Sequence, residues 1–260
     1  MGTTRTEDMD DTSRRGPWVS AFDRDTAMRL AATEYDRLAD LLSELTPEEW
    51  QMATECPGWD VRAMAGHCVG MAQMATSLRE TARQMLSSMR AAKRSGEAQI
   101  DALTGLQVRE HAHLVDGDVS AALRTTGRAA VAGRRRVPSP LRRMTFTDDG
   151  GGVKEKWRVG YLLDTILTRD PWMHRGDICR ATGRDQRLTA DHDGQIVADV
   201  VAEWAVRHGR PFDLTLTGPA GGRWQVGEGG ERLELDAVEF CRTSSGRAEG
   251  AGLLSTFVPF

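Results

Sequence analysis

Two stretches of the chain carry side chains that could share one piece of chemistry. The first is Gly58-Trp59-Asp60-Val61-Arg62-Ala63-Met64-Ala65-Gly66-His67-Cys68-Val69-Gly70. Asp60 reads as an N-cap whose carboxylate accepts an orphan amide of the first turn, and Trp59 is placed to fold back over that turn as a staple. Val61, Met64, His67 or Cys68, and Met71 follow the three-then-four spacing of one helix face. His67 therefore points where apolar side chains point. A buried polar group without a partner costs about 1–3 kcal/mol, so the imidazole needs a partner from elsewhere. Asp170-Pro171-Trp172-Met173-His174 offers a carboxylate and an imidazole one helical turn apart on one face. Two neutral imidazoles and a carboxylate make a ligand set that leaves a position open to water or substrate, as catalytic zinc sites do. Nickel and iron accept the same donors. The expectation is that His67, Asp170 and His174 bind one divalent metal, zinc first. The competing reading makes both histidines core residues bonded to backbone or acidic neighbours.

The remaining reactive residues are less suggestive. His111 and His113 fall in a segment of unclear structure. His192, between two aspartates, and His208, at a helix end, read as solvent-facing. Cys56, Cys68, Cys179 and Cys241 are scattered without a CxxC pair, which fits a reducing cytoplasm rather than a disulfide scaffold. Cys68 is turned about 100° from His67 by one helical step and reads as packing, not as a nucleophile. Arg242 and Arg247 lie at the end of a helix capped by Asp236, beside a glycine-containing turn. A planar guanidinium suits a carboxylate, so these arginines are candidates for clamping an anionic substrate. The alternative is surface pairing with Glu239 and Glu249.

Helices must position these groups. Asp23 to Leu45 carries Met28, Ala31, Tyr35, Leu38, Leu42 and Leu45 as the stripe of a bundle helix. Thr46-Pro47-Glu48-Glu49 combines an N-cap, a first-turn proline and a capping-box glutamate, and a short helix through Trp50 follows. The helix opened by Asp60 is expected to run to about Ser95, its stripe continued by Met71, Leu78, Met85 and Met89. Gly66 and Gly70 inside it imply close approach of another helix or a ligand, because glycine there costs about 1 kcal/mol against alanine. Ile100 to His113 reads as loop and partial helix. Asp118 to Gly133 reads as a third bundle helix, Arg134 to Arg143 as a solvated basic connection, and Asp148 to Gly152 as a flexible loop. Val159, Leu163, Ile166, Asp170 and His174 share the next stripe. Within that helix Pro171 removes the bond to the Leu167 carbonyl and can kink the chain. Thr189 to His208 is another amphipathic helix. The period then changes to alternation in Phe212 to Thr217. Arg223 to Gly227, Glu231 to Leu235 and Leu253 to Val258 read as further short strands. The division is a disordered leader (1–20), a helical bundle (21–208) and a small α+β domain (209–260).

Composition excludes several classes. With 40% hydrophobic and 28% charged residues the chain is an ordinary soluble globular protein. Its net charge of −4 gives no electrostatic case for nucleic acid or an anionic membrane, and no apolar run approaches the ~20 residues of a span. The expected partners are small molecules, bound by a monomer or homodimer. A non-catalytic metal-binding module or regulator is the alternative class; a metal closed by a fourth side chain would favour it.

Several segments together resemble one family. They are Leu45-Thr46-Pro47-Glu48-Glu49-Trp50, Cys56-Pro57-Gly58-Trp59-Asp60-Val61-Arg62 with His67, Thr168-Arg169-Asp170-Pro171-Trp172-Met173-His174-Arg175-Gly176-Asp177, and Phe240-Cys241-Arg242-Thr243-Ser244-Ser245-Gly246-Arg247-Ala248. In order and content they resemble the mycothiol-dependent maleylpyruvate isomerases of the DinB-like superfamily. The resemblance implies a mostly α protein, an antiparallel four-helix bundle carrying a metal, with a small α+β domain over its mouth. It places the metal ligands on His67, Asp170 and His174. It also implies mycothiol as a low-molecular-weight thiol cosubstrate, attacking a small electrophile in cis–trans isomerisation or in S-transfer, as in detoxification or secondary metabolism. Lys93, Lys154 and Lys156 are the only lysines, and this wealth of arginine agrees with an actinobacterial source, where mycothiol is the expected thiol. Two departures stand out: the acid, often glutamate in that family, is the shorter Asp170, and Pro171 follows it directly.

Overall fold

The computed structural model describes residues 16–148 and 154–260. In chain order its main elements are α1 (Arg24–Glu44), α2 (Val61–Met74), α3 (Leu78–Ser95), α4 (Gln99–His111), α5 (Asp116–Arg136), β1 (Thr145–Asp148), β2 (Glu155–Arg158), α6 (Leu167–Thr182), α7 (Gln195–His208), β3 (Phe212–Thr217), β4 (Gly222–Val226), β5 (Glu231–Asp236) and α8 (Ala237–Ser244). The fold is mostly α with a small α+β part. Helices α1, α2, α5 and α6 make the antiparallel bundle, and α3 and α4 form a helical hairpin against α2. No described helix is long and apolar enough to cross a membrane.

The bundle helices form where their stripes and caps direct. Asp23 accepts the Thr26 amide at 2.8 Å and opens α1. Thr46 and Glu49 close a reciprocal capping box, with the Thr46 amide 2.7 Å from Glu49 Oε2. Asp60 accepts the Ala63 amide at 2.7 Å and opens α2. Tyr35, Leu38, Leu42, Trp50, Met64, Cys68, Leu123, Leu167 and Ile178 belong to the bundle core. A second core joins Leu30 of α1 and Trp172 and Met173 of α6 to Ile196, Val200 and Trp204 of α7 and to Phe212, Leu214 and Phe240. Helix α6 thus serves both cores. The sheet has the order β4-β3-β5, with β3 antiparallel to β4 and parallel to β5. Phe212, Leu214 and Leu216 point inward in strict alternation.

Several expectations need correction. The helix expected from Asp60 to Ser95 is two helices: α2 ends near Ala75, and the Ser77 hydroxyl accepts the Glu80 amide to open α3. The supposed inward stripe Leu78, Met85 and Met89 is exposed, and Gln84 and Ser88 are what α3 buries. The segment Ile100 to His113, expected as loop and partial helix, is helical in α4 up to His111. Helix α5 runs into the presumed basic connection as far as Arg136, and Arg134 is fully buried. The hairpin β1–β2 carried no sequence signal. Leu253 to Val258 is a short 3₁₀ turn, Gly252–Ser255, and an extended tail rather than a strand. His192 is buried, its Nε2 lying 2.7 Å from Glu34 Oε2, because a π-helical turn, Ala190–Gly194, rotates it inward. His208 is half-buried, edge-on to Trp204 at 4.2 Å between ring centres. Residues 1–15 of the expected leader and 149–153 of the glycine-rich loop lie outside the described residues. Trp18, within the expected leader, exchanges backbone hydrogen bonds with Lys156 and Arg158 beside β2.

Candidate functional site

Helix α2 supplies His67, and α6 supplies Asp170 and His174. Their ligand atoms lie within 4.8 Å of one another. Both imidazoles present Nε2 to the same carboxylate oxygen: Asp170 Oδ1 is 3.6 Å from His67 and 3.5 Å from His174. N–H···O hydrogen bonds run from 2.7 to 3.2 Å, so these separations are too long for good hydrogen bonds. A tetrahedral zinc with bonds of roughly 2.0–2.1 Å holds neighbouring ligand atoms roughly 3.3 Å apart. The three side chains therefore fit a small divalent ion in spacing and in donor type.

The remaining nitrogen of each imidazole is already engaged. His174 Nδ1 is 3.1 Å from Asp177 Oδ2, and His67 Nδ1 is 2.9 Å from Gln107 Oε1. Such outer partners orient metal-binding imidazoles and fix which nitrogen is free. Burial opposes charge on His174, but Asp170 and then Asp177 outweigh it and lift its pKa to about 9. Burial likewise pushes Asp170 upward, yet His174 and His67 hold it well below the usual carboxylate range. The site is a compact charge cluster at the contact of α2 and α6.

Pro171 sits inside α6 one residue after Asp170. The Leu167 carbonyl, which loses its helical donor to the proline ring, accepts Arg134 Nη1 at 3.2 Å, and Arg134 Nη2 donates to Thr168 Oγ1 at 2.8 Å. A π-helical turn, Leu162–Ile166, leads directly into this segment. Such turns recur at functional sites because they shift the phase of one helix face.

Trp59 covers the imidazoles, its ring centre 5.1 Å from that of His67 and 6.4 Å from that of His174. It reaches further into the site than a staple over the first turn. Gly58, with φ +79°, makes the turn that delivers it. Arg247 grips Asp177 through Nε and Nη2, each 3.0 Å from a carboxylate oxygen, and its Nη1 donates to the Ser245 hydroxyl at 3.3 Å. It thus stands one residue behind His174. Arg242 is turned to Glu55, with Nη2 to Oε1 at 2.9 Å, and to Glu239. Among the described residues neither arginine pairs with Glu249. Cys68 is in the bundle core, and burial, then Asp170, pushes its thiol well up. Cys56 approaches His174 and Asp177, but burial and then Asp177 raise its thiol as well. Neither is a ready thiolate. His111 is a satisfied buried residue bonded to the Gln107 carbonyl and to Gln73.

Sequence reasoning passed over Asp177 and Gln107. Asp177 had a signal, since it stands three residues after His174 on the same face. Gln107 had none, because its helix was not recognised. A separate cleft of about 580 Å³ opens on the Arg175–Cys179 face of α6. Arginines in its lining are already paired: Arg175 with Glu34 and Asp193, Arg184 with Glu49 and Arg187 with Glu44.

A crystal structure of the mycothiol-dependent maleylpyruvate isomerase matches with a TM-score of 0.54 at 14% identity, over 87% of this chain and 90% of that one. A histidine-to-alanine mutant of the isomerase matches with 0.52 at the same identity and coverage. At that identity the likeness is one of fold. No curated protein matches the chain. The family model described as the mycothiol maleylpyruvate isomerase N-terminal domain matches residues 31–179, a span holding His67, Asp170, His174 and their outer partners Gln107 and Asp177. With more than half of its length matched in this way, the chain belongs to the mycothiol maleylpyruvate isomerase N-terminal domain family.

Proposed function

We propose that the protein is a metal-dependent enzyme in which His67, Asp170 and His174 hold one divalent cation, zinc before nickel or iron, and mycothiol serves as the thiol cosubstrate. The observation that carries the metal is the convergence of both Nε2 atoms on Asp170 at 3.5 and 3.6 Å, longer than hydrogen bonds and close to a ligand–ligand edge. A dication there would lower the pKa of a thiol at its open position, making thiolate available at neutral pH. The raised thiols of Cys56 and Cys68 support an external thiol over a protein nucleophile.

The chain's own groups divide the remaining work. Asp177 holds the His174 ring, and Trp59 walls the imidazoles from water. Arg247, whose Nη1 has no carboxylate partner among the described residues, binds an anionic group of the substrate or of the thiol. Arg242, saturated by Glu55 and Glu239, fixes the loop that leads to Trp59. The family assignment favours isomerisation of a small electrophile. The thiolate adds to a cis carbon–carbon double bond conjugated to a carbonyl, the adduct rotates about the resulting single bond, and loss of the thiolate restores the double bond as trans. S-transfer would use the same residues and keep the thiol attached. A cytoplasmic setting suits the free cysteines and the reduced thiol.

The test has two arms. Elemental analysis should find about one divalent ion per chain in the wild type and much less in His174→Ala. Dialysed protein should convert members of a panel of cis-unsaturated keto acids only when mycothiol is added, and Cys68→Ala should keep that activity. Equal metal in both proteins, or full turnover without thiol, would sink the proposal.

A further inference from the structure

His67 is steered by a buried chain of amides that begins two helices away. Gln84 of α3 and Gln107 of α4 are both fully buried. Gln84 Nε2 lies 3.1 Å from the Gly70 carbonyl and 3.1 Å from Glu80 Oε1. Gln107 Nε2 lies 2.9 Å from Gln84 Oε1, and Gln107 Oε1 lies 2.9 Å from His67 Nδ1. A backbone carbonyl can only accept, and Glu80, its pKa lowered chiefly by hydrogen bonds from Arg83, is likewise an acceptor. Gln84 must therefore turn its NH₂ toward Gly70 and Glu80 and its oxygen toward Gln107. Gln107 must then donate to Gln84 and turn its own oxygen to His67. His67 has one way to satisfy this: its Nδ1 carries the proton.

We infer that Gln84 and Gln107 are positioning residues that lock His67 in the Nδ1–H tautomer and so reserve Nε2 for a divalent cation. The inference rests on the metal reading of His67, Asp170 and His174. Its physical content is a deliberate mismatch. When the ring is neutral, a proton on Nδ1 leaves the Nε2 lone pair facing the Asp170 carboxylate at 3.6 Å, two electron donors opposed. A cation between them satisfies both. Without the amide chain, His67 could carry its proton on Nε2 and donate it to Asp170, and the ligand atom would be blocked. Gly70 makes the arrangement possible twice over. Its carbonyl anchors the chain, and a Cβ at that position would stand 2.5 Å from Gln107 Cβ. The absence of a side chain lets α4 bring Gln107 against α2.

The test uses the full chain. In metal-free protein with ¹⁵N-labelled histidine, long-range ¹H–¹⁵N spectra should show His67 as the Nδ1–H tautomer. Gln107→Leu should shift it toward Nε2–H and weaken zinc binding about 10–100-fold in competition with a chromophoric chelator. Gln107→Glu, which still offers an acceptor to Nδ1, should return the affinity to within a few-fold of wild type. If Gln107→Leu does not fold, as judged by circular dichroism and melting, Gln84→Met carries the same comparison from the far end of the chain. A folded variant with unchanged tautomer and unchanged zinc affinity overturns the inference. Should the wild type bind no zinc, the functional proposal fails on its own, and the tautomer in metal-free protein still decides this one.

Discussion

At the scale of single residues, the site divides into groups that announce themselves and groups that do not. Spacing put His67, Asp170 and His174 forward, because an imidazole on an apolar stripe needs a partner and a carboxylate–imidazole pair one turn apart can be that partner, and the family resemblance then set them above the reading of both histidines as core residues. Spacing could not show that Asp177 and Gln107 would occupy the other ring nitrogens, since a hydrogen bond across helices leaves no period in the sequence. The sequence put Arg247 ahead of Arg242 as an anion clamp, and the structure separates them by partner: Glu55 and Glu239 for Arg242, Asp177 for Arg247. Their variants should differ accordingly. Arg247→Ala is expected to lose at least ~1.5 kcal/mol of transition-state binding, about tenfold in kcat/KM, in whichever thiol-dependent conversion is found. Arg242→Ala should leave the chemistry in place and loosen the loop before α2, read as faster proteolysis near Glu55. Steady-state kinetics of the two variants side by side checks the contrast, and equal kinetic losses would contradict it.

At the scale of elements, helix periodicity recovered the bundle and capping chemistry recovered its starts, as Asp23, Thr46 and Asp60 show. It failed where burial does not follow polarity. Helix α3 turns Gln84 and Ser88 inward and Leu78, Met85, Leu86 and Met89 outward, so a reading that sends apolar residues inside assigns its faces backwards. Arg134 fails in the same way. Three consecutive arginines read as a solvated run, yet Arg134 takes the carbonyl that Pro171 leaves without a donor. Arg134→Ala should therefore destabilise the protein by ~2–4 kcal/mol, an unsatisfied carbonyl added to a cavity, seen as a lower urea midpoint. Gly70→Ala should cost ~1–3 kcal/mol by overpacking against Gln107. It should weaken binding of added zinc as well, although it is none of the proposed ligands. A Gly70→Ala protein with wild-type stability and zinc affinity would show that α4 yields easily at that contact.

At the scale of the whole molecule, the two cores meet on α6, and the change of period after residue 208 does not mark where they part. Helix α7 precedes that change, yet Ile196, Val200 and Trp204 are buried with Phe212, Leu214 and Phe240. A chain ending at residue 208 would expose that face. It should aggregate on expression, which sedimentation of the lysate would reveal; a soluble fragment with a cooperative melt would contradict this. The sheet also reaches the site indirectly, because the segment after α8 carries Arg247 to Asp177. Finally, the outward stripe of α3 bears on how long the site stays assembled. A helix whose inward residues are Gln84 and Ser88 has little apolar burial to resist local unfolding, and segments of that kind open far more readily than the global fold. Each opening would withdraw Gln84 and leave the Gln107 amide free to turn, so the lifetime of His67's proton on Nδ1 would be set by the fraying of α3. Hydrogen exchange should accordingly show the amides of residues 78–95 exchanging well before those of α1 and α2, with added zinc slowing them although its proposed ligands lie on other helices. Uniform protection across all three helices would instead make α3 as durable as the bundle it leans on.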